Sequence, residues 1–418
     1  MAERTVAIIG AGQAGLLLGI GLLKSNKKYS VSIFTNKSAE QILQGGIMSS
    51  QGMFDSSLQV ERELGINFWD TLCPQNKSVT FTLVNPETIK KEIYFQGKTT
   101  KPYQSIDQRL KFSRWMDEFE KLSGKIHIQN TDTQELNRIT KEHELTIVAT
   151  GKGEISSIFP INHSRSPFDK PQRALACIYV QGAIPADSLG VRAHIIPGIG
   201  EYFTMPGLTL NGHCEMMLFE GIFGNAFDCW EGLTNPEERL EKALNLLKNY
   251  LPWEAERFQN TKLTDNRGTL TGSYTPLVKL PISKLPCGKS VLGLGDAVVL
   301  NDPIAGQGAN SAAKSASIYL KSILDRGQAP FDESWMTKTF ELSWKLHAQW
   351  ATQWTYNLLM PPPPHIIELF KAASHSQKIA KILADGFDNP ATLFPWIMRS
   401  EETFKVIHNE EKQPEKLA

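Results

Sequence analysis

Two stretches far apart in the chain carry residues whose types and spacing could do chemistry. In the C-terminal third, Gly293-Leu294-Gly295-Asp296 is followed by Asp302-Pro303-Ile304-Ala305-Gly306-Gln307-Gly308-Ala309-Asn310. A carboxylate at the end of an apolar run can accept hydrogen bonds from sugar-alcohol hydroxyls. A glycine loop feeding a helix N-terminus favours negative charge through its free amides and the helix dipole. Small residues there let backbone approach a flat ring closely. Near the N-terminus, Gly10-Ala11-Gly12-Gln13-Ala14-Gly15 follows the apolar run Val6-Ala7-Ile8-Ile9. This is G-x-G-x-x-G: the first glycine permits a turn, the second lets backbone approach a pyrophosphate, and the third packs helix on sheet.

The elements around these residues decide what the motifs mean. Val6 to Ile9 and Val31-Ser32-Ile33-Phe34 read as buried strands, with a helix from Leu16 to Lys24 between them. In that strand–turn–helix–strand setting the first motif reads as a dinucleotide site. The acid that usually ends the second strand and holds a ribose is absent, because Thr35-Asn36-Lys37 stand there. Ribose recognition is therefore expected to be weaker or supplied from elsewhere. Ser290 to Leu294 reads as another buried strand, ended by Gly295-Asp296, and Asn310 opens a helix through Ser317 and Leu320. Leu145 to Gly151 is an apolar strand ending in Ala149-Thr150-Gly151, where glycine would allow a dinucleotide to cross.

Between these elements the pattern changes. Glu40 to Gln59 reads as a loop leading to a helix around Ser57 to Leu64. Val79 to Val84 and Lys91 to Phe95 alternate as a hairpin about Asn85-Pro86. A helix begins at Ile106-Asp107-Gln108-Arg109-Leu110 and runs through Trp115 and Phe119. On pattern alone Arg109 is either a surface helix residue or a phosphate contact. Ala174–Val180, Glu201–Met205, Leu208–Leu210 and Met216–Phe219 read as strands of a mostly antiparallel sheet, followed by a helix from Pro236 to Tyr250 capped by Asn235. After Asp325 the chain reads as helical. Trp335, Trp344, Trp350 and Trp354 share one long helix as packing residues, and Pro361 to Pro364 break it. The tail after Asn409 is charged and expected to fray.

Composition excludes several function classes. The 418 residues suffice for two domains or one large domain with an insertion. Lys+Arg and Asp+Glu number 44 each, so no basic field would draw nucleic acid or an anionic membrane. The five cysteines are scattered without a CxxC pair, and the nine histidines lack metal spacing. No metal site is expected, and reduced thiols point to a cytoplasmic protein. No stretch reaches the roughly 18 apolar residues of a membrane span, and no signal peptide precedes the first strand.

The two-ended signature is that of FAD-binding proteins of the aromatic hydroxylase type. Within that class the chain resembles, over nearly its full length, the oxygenase component of styrene monooxygenase and the related indole monooxygenases. The resemblance rests on Ser166-Pro167-Phe168-Asp169-Lys170-Pro171-Gln172-Arg173-Ala174-Leu175, Gly293-Leu294-Gly295-Asp296, and Asp302-Pro303 with Gly306-Gln307-Gly308-Ala309-Asn310. Asp107-x-Arg109-Leu110 and Thr150-Gly151-Lys152 also match. It implies an α/β fold: a Rossmann-type FAD-binding domain, an inserted, mostly antiparallel substrate domain and a C-terminal helical region. The expected limits are 1–70, 101–165 and 285–330 for FAD, 71–100 and 166–284 for substrate, and 331–418 for the helices.

The resemblance further implies a two-component monooxygenase. An NADH-dependent flavin reductase supplies reduced FAD in trans. The oxygenase adds O2 to form a flavin peroxide and epoxidises a small apolar aromatic alkene such as styrene or indole. A homodimer is left open. The implied FAD contacts are Gly10, Gly12, Gln13, Ala14, Gly15, Arg109, Thr150, Gly151, Asp296, Pro303, Gly306, Gln307, Gly308, Ala309 and Asn310. Gln51, Gly52 and Pro303 would form the environment of the reacting flavin, and Met205, Leu210, Met216, Leu218 and Glu220 the substrate pocket. The chain departs from the family at Met48-Ser49-Ser50-Gln51-Gly52-Met53, where the family carries an Arg-Leu-Leu-Asn-Thr-Val-type run. Gln51 stands at the family Asn and Gly52 at its Thr. Two other readings compete: a single-component hydroxylase using NAD(P)H, and a flavin-binding sensor without catalysis. The first usually carries Asp-Gly where this chain has Thr150-Gly151-Lys152. A halogenase is disfavoured because no Trp-x-Trp-x-Ile-Pro run is present.

Overall fold

Unbroken apolar runs form the first sheet. A computed structural model describes residues 3–411 except 27 and 50. In it the strands run in the order β14 (Ile282–Lys284), β15 (Ser290–Gly293), β6 (Leu145–Val148), β1 (Arg4–Ile9), β2 (Tyr29–Thr35) and β5 (Lys125–Ile128). All neighbours are parallel except β14 and β15. Val6 and Ile8 of β1 join a core with helices α1 (Gln13–Lys24), α4 (Gln108–Lys121) and α8 (Gly308–Arg326). Ala7 and Ile9 join a second core, with Leu136 and Ile139 of α5 (Thr133–Glu142). Because both faces are covered, the strands show no polar alternation.

Alternating runs form the second sheet. Its order is β11 (Lys262–Leu263), β7 (Ala174–Gln181), β10 (Gly212–Gly221), β9 (Gly200–Thr209), β8 (Gly190–Ile196), β3 (Asn76–Asn85) and β4 (Lys90–Tyr103), with β12 (Thr269–Gly272) also on β7. Within this sheet only the β3–β8 pair is parallel among the described strands. One face packs under α6 (Pro236–Tyr250) and α7 (Pro252–Phe258) through Ile178, Tyr202 and Phe219. The other face turns toward the loops of the first sheet. A short ribbon of β13 (Leu277–Val278) and β16 (Val299–Leu300) lies between them. Helices α11 (Pro364–His375) and α12 (Gln377–Asp385) cover the β3–β4 end, so closely that a Cβ on Gly97 would lie 2.0 Å from the Ala380 carbonyl oxygen.

This is the α/β class expected from the sequence: a Rossmann-type sheet, a mostly antiparallel second sheet and C-terminal helices. Several local expectations change. Glu201–Met205 and Leu208–Leu210 are not two strands. Pro206 and Gly207 continue β9 through Thr209, and Leu210 falls in the following turn. Strand β8 was not anticipated, although Val191, Ala193 and Ile195 alternate with polar residues. The loop expected from Glu40 contains α2 (Ala39–Leu43), and α3 (Asp55–Glu63) begins earlier than expected. The tryptophan-bearing helix runs through α9 (Glu333–Ser343), a π turn at Trp344–Ala348 and α10 (Gln349–Leu358). Trp335 packs on Phe331 and Trp354 on Phe387, consistent with packing roles. Helix α13 (Ser400–Glu411) closes the described chain; beyond residue 411 the expectation for the tail lies outside the described residues.

The start of α1 rests on a buried polar triad. Gln13 Nε2 and Lys111 Nζ each donate to Glu61 Oε1 at 2.9 Å, and Lys111 and Glu61 are wholly buried. This joins α1, α3 and α4 beneath the glycine turn. Lys111→Met should cost about 3–5 kcal/mol, because it strands the Glu61 carboxylate. Urea unfolding checks it; a cost below about 1 kcal/mol would mean that the Lys111–Glu61 contact does not fasten α3 to α4.

Candidate functional site

Between the two sheets lies a cleft of about 700 Å³, walled by both ends of the chain. The glycines divide by what they face. Gly10 has φ +112°, and a Cβ there would meet the Ala149 carbonyl oxygen at 2.4 Å. A Cβ on Gly15 would meet the Gly10 carbonyl oxygen at 2.1 Å. The chain's own packing demands both. Gly12 differs: its backbone is extended (φ −94°, ψ −169°), and a Cβ would meet nothing within 4 Å. Gly308 likewise faces open space. A side chain at either would enter the cleft, so the bare backbone suits a ligand lying along it, such as the diphosphate of a dinucleotide.

Asp296 sits on the wall at the end of β15. Burial pushes its carboxyl up to about 6, opposed by the Lys152 ammonium. It is therefore a carboxylate, free to accept, above about that pH. Lys152 stacks 3.7 Å over the Tyr274 ring; burial lowers its pKa, against the pull of Asp296 and Asp302. Next in the chain, Asp302 Oδ1 accepts the Ile304 N–H at 3.1 Å and caps the turn Pro303–Ala305. Gly306, at φ +62°, ends that turn and leads to the α8 N-terminus.

Asn310 ties this loop to the segment that departs from the family pattern. Its Nδ2 donates to Gly52 O at 2.7 Å and Gly306 O at 2.8 Å, and its Oδ1 accepts the Phe54 N–H at 3.0 Å. Gln51 lines the cleft while its amide donates to Ile106 O at 2.9 Å. Beyond Gln51 the wall becomes apolar, with Val79, Tyr103, Ala193, Phe203, Met205 and Leu218 on one face of the second sheet, and Phe387 opposite.

The cleft thus gathers Gly10, Gly12, Gln13, Ala14, Gln51, Gly52, Thr150, Gly151, Met205, Leu218, Asp296, Pro303, Gly306, Gly308 and Ala309. The other expected contacts do not line it. Arg109 is 1% exposed and is used up by Asp107 (2.7 Å) and Asp265 (2.8 Å), so it is neither a surface residue nor a phosphate contact. Gly15 packs helix on turn. Gln307 donates to Phe387 O at 2.9 Å, and Asn310 acts as the clamp just described. Leu210 is in the β9–β10 turn. Met216 shares the sheet face but lies deeper, its Sδ accepting from Ser105 Oγ at 3.0 Å. Glu220 is wholly buried beside Asp302, off the wall. Sequence reasoning missed Val191 and Ala193 with β8, the Gln129–Thr133 segment at the far end of the cleft, and Phe387. Alternation could have found the first pair; the others come from distant chain. No cluster that could hold a metal occurs among the described residues, and no helix among them is long and apolar enough to cross a membrane.

Residues 151–257 match the family model "Styrene monooxygenase A putative substrate binding domain". The chain is 26% identical over 397 residues to styrene monooxygenase StyA of Pseudomonas fluorescens, covering 93% of this chain and 94% of that one. A Pseudomonas sp. StyA matches at 26% over 396 residues. The chain is thus similar over nearly its full length to styrene monooxygenases, which supports a flavin-dependent monooxygenase. Solved structures share the fold at low identity. A flavoprotein/dehydrogenase from Cytophaga hutchinsonii is 16% identical with a TM-score of 0.68, covering 98% of this chain and 100% of that one. The flavin-dependent brominase Bmp2 is 14% identical with a TM-score of 0.64, covering 99% and 100%.

Asn310→Ala should cost about 1–3 kcal/mol, since it leaves the Phe54 N–H and the Gly52 and Gly306 carbonyls without their partner. Limited proteolysis should then cut within residues 44–52 faster than in wild type. Unchanged cleavage would show that the segment is held by other contacts.

Proposed function

We propose that the chain is the oxygenase of a two-component, FAD-dependent system that epoxidises small apolar aromatic alkenes. One observation carries this reading: a single cleft joins a bare-backbone dinucleotide turn to an apolar sheet wall. Reduced FAD, bound there and reacting with O2, would supply the oxygen atom for an alkene carbon–carbon double bond. The chain's own residues hold and shield. Gly12 and Thr150-Gly151 would give backbone to the diphosphate, and Asp296 would accept from ribityl hydroxyls. Pro303 to Gly306, the α8 N-terminus, Gln51 and Gly52 would hold the ring. Phe203, Met205 and Leu218 face an apolar substrate and exclude water, which matters because a reactive oxygen donor otherwise decays. The lining cations are Lys37 and Lys152, neither of them on the sheet wall, so nothing there would clamp a carboxylate. The FAD part would comprise 1–70, 101–165 and 285–330, the substrate part 71–100 and 166–284, and the helical part 331–418. The reductase would be a separate NADH-dependent protein, because the sequence holds one dinucleotide fingerprint.

The test is a product screen with FAD reduced by an unrelated flavin reductase. Styrene, indole and thioanisole should give epoxide, blue indigoid pigment and sulfoxide. If none forms while a charged phenolic acid is hydroxylated, the alkene reading fails. The purified chain with FAD alone should not oxidise NADH or NADPH; substrate-dependent consumption would favour a single-component hydroxylase. Binding without any product across the panel would favour a sensor.

Asp296→Ala should weaken binding of reduced FAD by about 1–3 kcal/mol through lost charge-assisted hydrogen bonds. Wild-type affinity should also fall toward that of the variant below about pH 6, where Asp296 takes up a proton. Gly12→Val should weaken binding further without unfolding the chain, because its side chain meets only the cleft. Anaerobic titration with reduced FAD measures all three effects. Wild-type affinity in Asp296→Ala would place the ribityl chain elsewhere.

A further inference from the structure

The turn Pro303–Ala305 rests on a buried acidic pair that the flavin reading does not use. Asp302 Oδ1 accepts the Ile304 N–H, whereas its Oδ2 has no partner. Glu220, on β10, is wholly buried and faces Asp302. Neither of its oxygens has a partner. Two ionised carboxylates only accept, so they cannot bond each other and would repel in a dry site. A single proton between them satisfies both.

The neighbouring groups decide which acid holds it. Across the β9–β10 ladder Glu201 faces Glu220, and Glu201 is bidentate to Arg173, at 2.7 and 3.0 Å. That guanidinium is therefore largely committed. Burial raises the Asp302 carboxyl, but its contacts with Glu220 and the Ile304 N–H, and the charges of Arg173 and Lys152, favour its charged form. Burial and the charges of Asp302 and Glu201 push the Glu220 carboxyl well above its usual range. The Tyr274 phenol, close enough to feel Asp302, Asp296 and Glu220, stays neutral because burial raises it. The proton belongs on Glu220.

We propose that Glu220 donates one shared proton to Asp302 Oδ2, and that this bond positions the Pro303–Ala305 turn in the cleft wall. The functional part rests on the reading that the turn borders reduced FAD. Glu220 is then a positioning residue: it touches no ligand and acts through Asp302. Loss of the proton as pH rises sets two carboxylates against each other and loosens the cap on Ile304. Glu220→Gln replaces the proton with an amide N–H that no pH removes. Asp302→Asn does the same from the other side and keeps an oxygen for Ile304.

Two measurements test this. Melting of the flavin-free chain is followed from pH 5 to 9. A carboxyl whose folded pKa is raised contributes stability at low pH and loses it as pH rises through the folded value. The melting temperature of Glu220→Gln relative to wild type should therefore climb with pH, and that of Asp302→Asn likewise. Affinity for reduced FAD is then titrated without oxygen from pH 6.5 to 9.5. Wild type should weaken about fivefold more than either amide variant over that range, while Glu220→Ala binds weakly throughout. Asp296 and the flavin itself titrate alike in all variants and cancel in the comparison. If both amide variants follow the wild-type profiles, the shared proton is wrong. If the melting difference grows with pH but wild type binds no reduced FAD at any pH, the shared proton stands and the flavin reading is what fails.

Discussion

The 302–310 loop shows bare backbone to the cleft at Gly306 and Gly308, and backbone left open on that side must be held from the other. Much of the structure follows from that constraint. Asp302 caps the turn from behind, and Asn310 gathers three main-chain groups from two segments. Gln307 reaches back to the 387 turn below the C-terminal helices. Each of these side chains is almost wholly buried, and each is spent on backbone. The open face can then stay free of protein atoms without the loop collapsing into it.

Holding the loop this way brings charge into the interior. Glu201, Glu220 and Asp302 lie together with Arg173 as the nearest buried cation. The run Ser166–Leu175 finds its physical reason here. Ser166 Oγ bonds both backbone groups of Val278, Phe168 packs on Tyr356, and Arg173 neutralises Glu201. The stretch that most resembles the family is thus a fastening between the second sheet, the β13 ribbon and the helical region, and none of those residues lines the cleft. Other buried charges sit away from the cleft and act as fastenings too. Arg109 joins Asp107 to Asp265. Glu254 collects Arg192, His194 and Arg257 on the far face of the second sheet, which holds its carboxyl below the usual range.

This distribution leaves one end of the cleft apolar and its middle polar. Asp296, Lys152 and Tyr274 make one small electrostatic group at the point where the first sheet meets the second. Beyond it the wall is side chains of Phe, Met, Leu and Val on a sheet whose strands alternate. Only the residues in phase with Phe203 and Leu218 face inward.

The sequence by itself determined the first sheet, the glycine turn and the α/β class, because these depend on local periodicity and on glycine at positions where the chain crosses itself. Residues 10 and 15 are glycine for contacts within a few residues or with the adjacent strand, and such contacts leave a short motif. It also determined the limits of the Pro236–Tyr250 helix, since the cap Asn235 acts within three residues. The inward face of the second sheet was half legible. Met205 and Leu218, expected in the pocket, line the cleft, whereas Met216 is in phase with them yet lies too deep, and Leu210 was misplaced because Pro206-Gly207 does not end β9. Only the tertiary structure decided the role of Arg109. Its partner Asp265 is 156 residues away, and the same helical pattern would have suited a surface residue or a phosphate ligand. The same holds for Glu220, whose neighbour Asp302 enters from the loop after the β13–β16 ribbon. A charge in a sequence carries no mark of the charge it will face, because that is set where distant strands and loops meet.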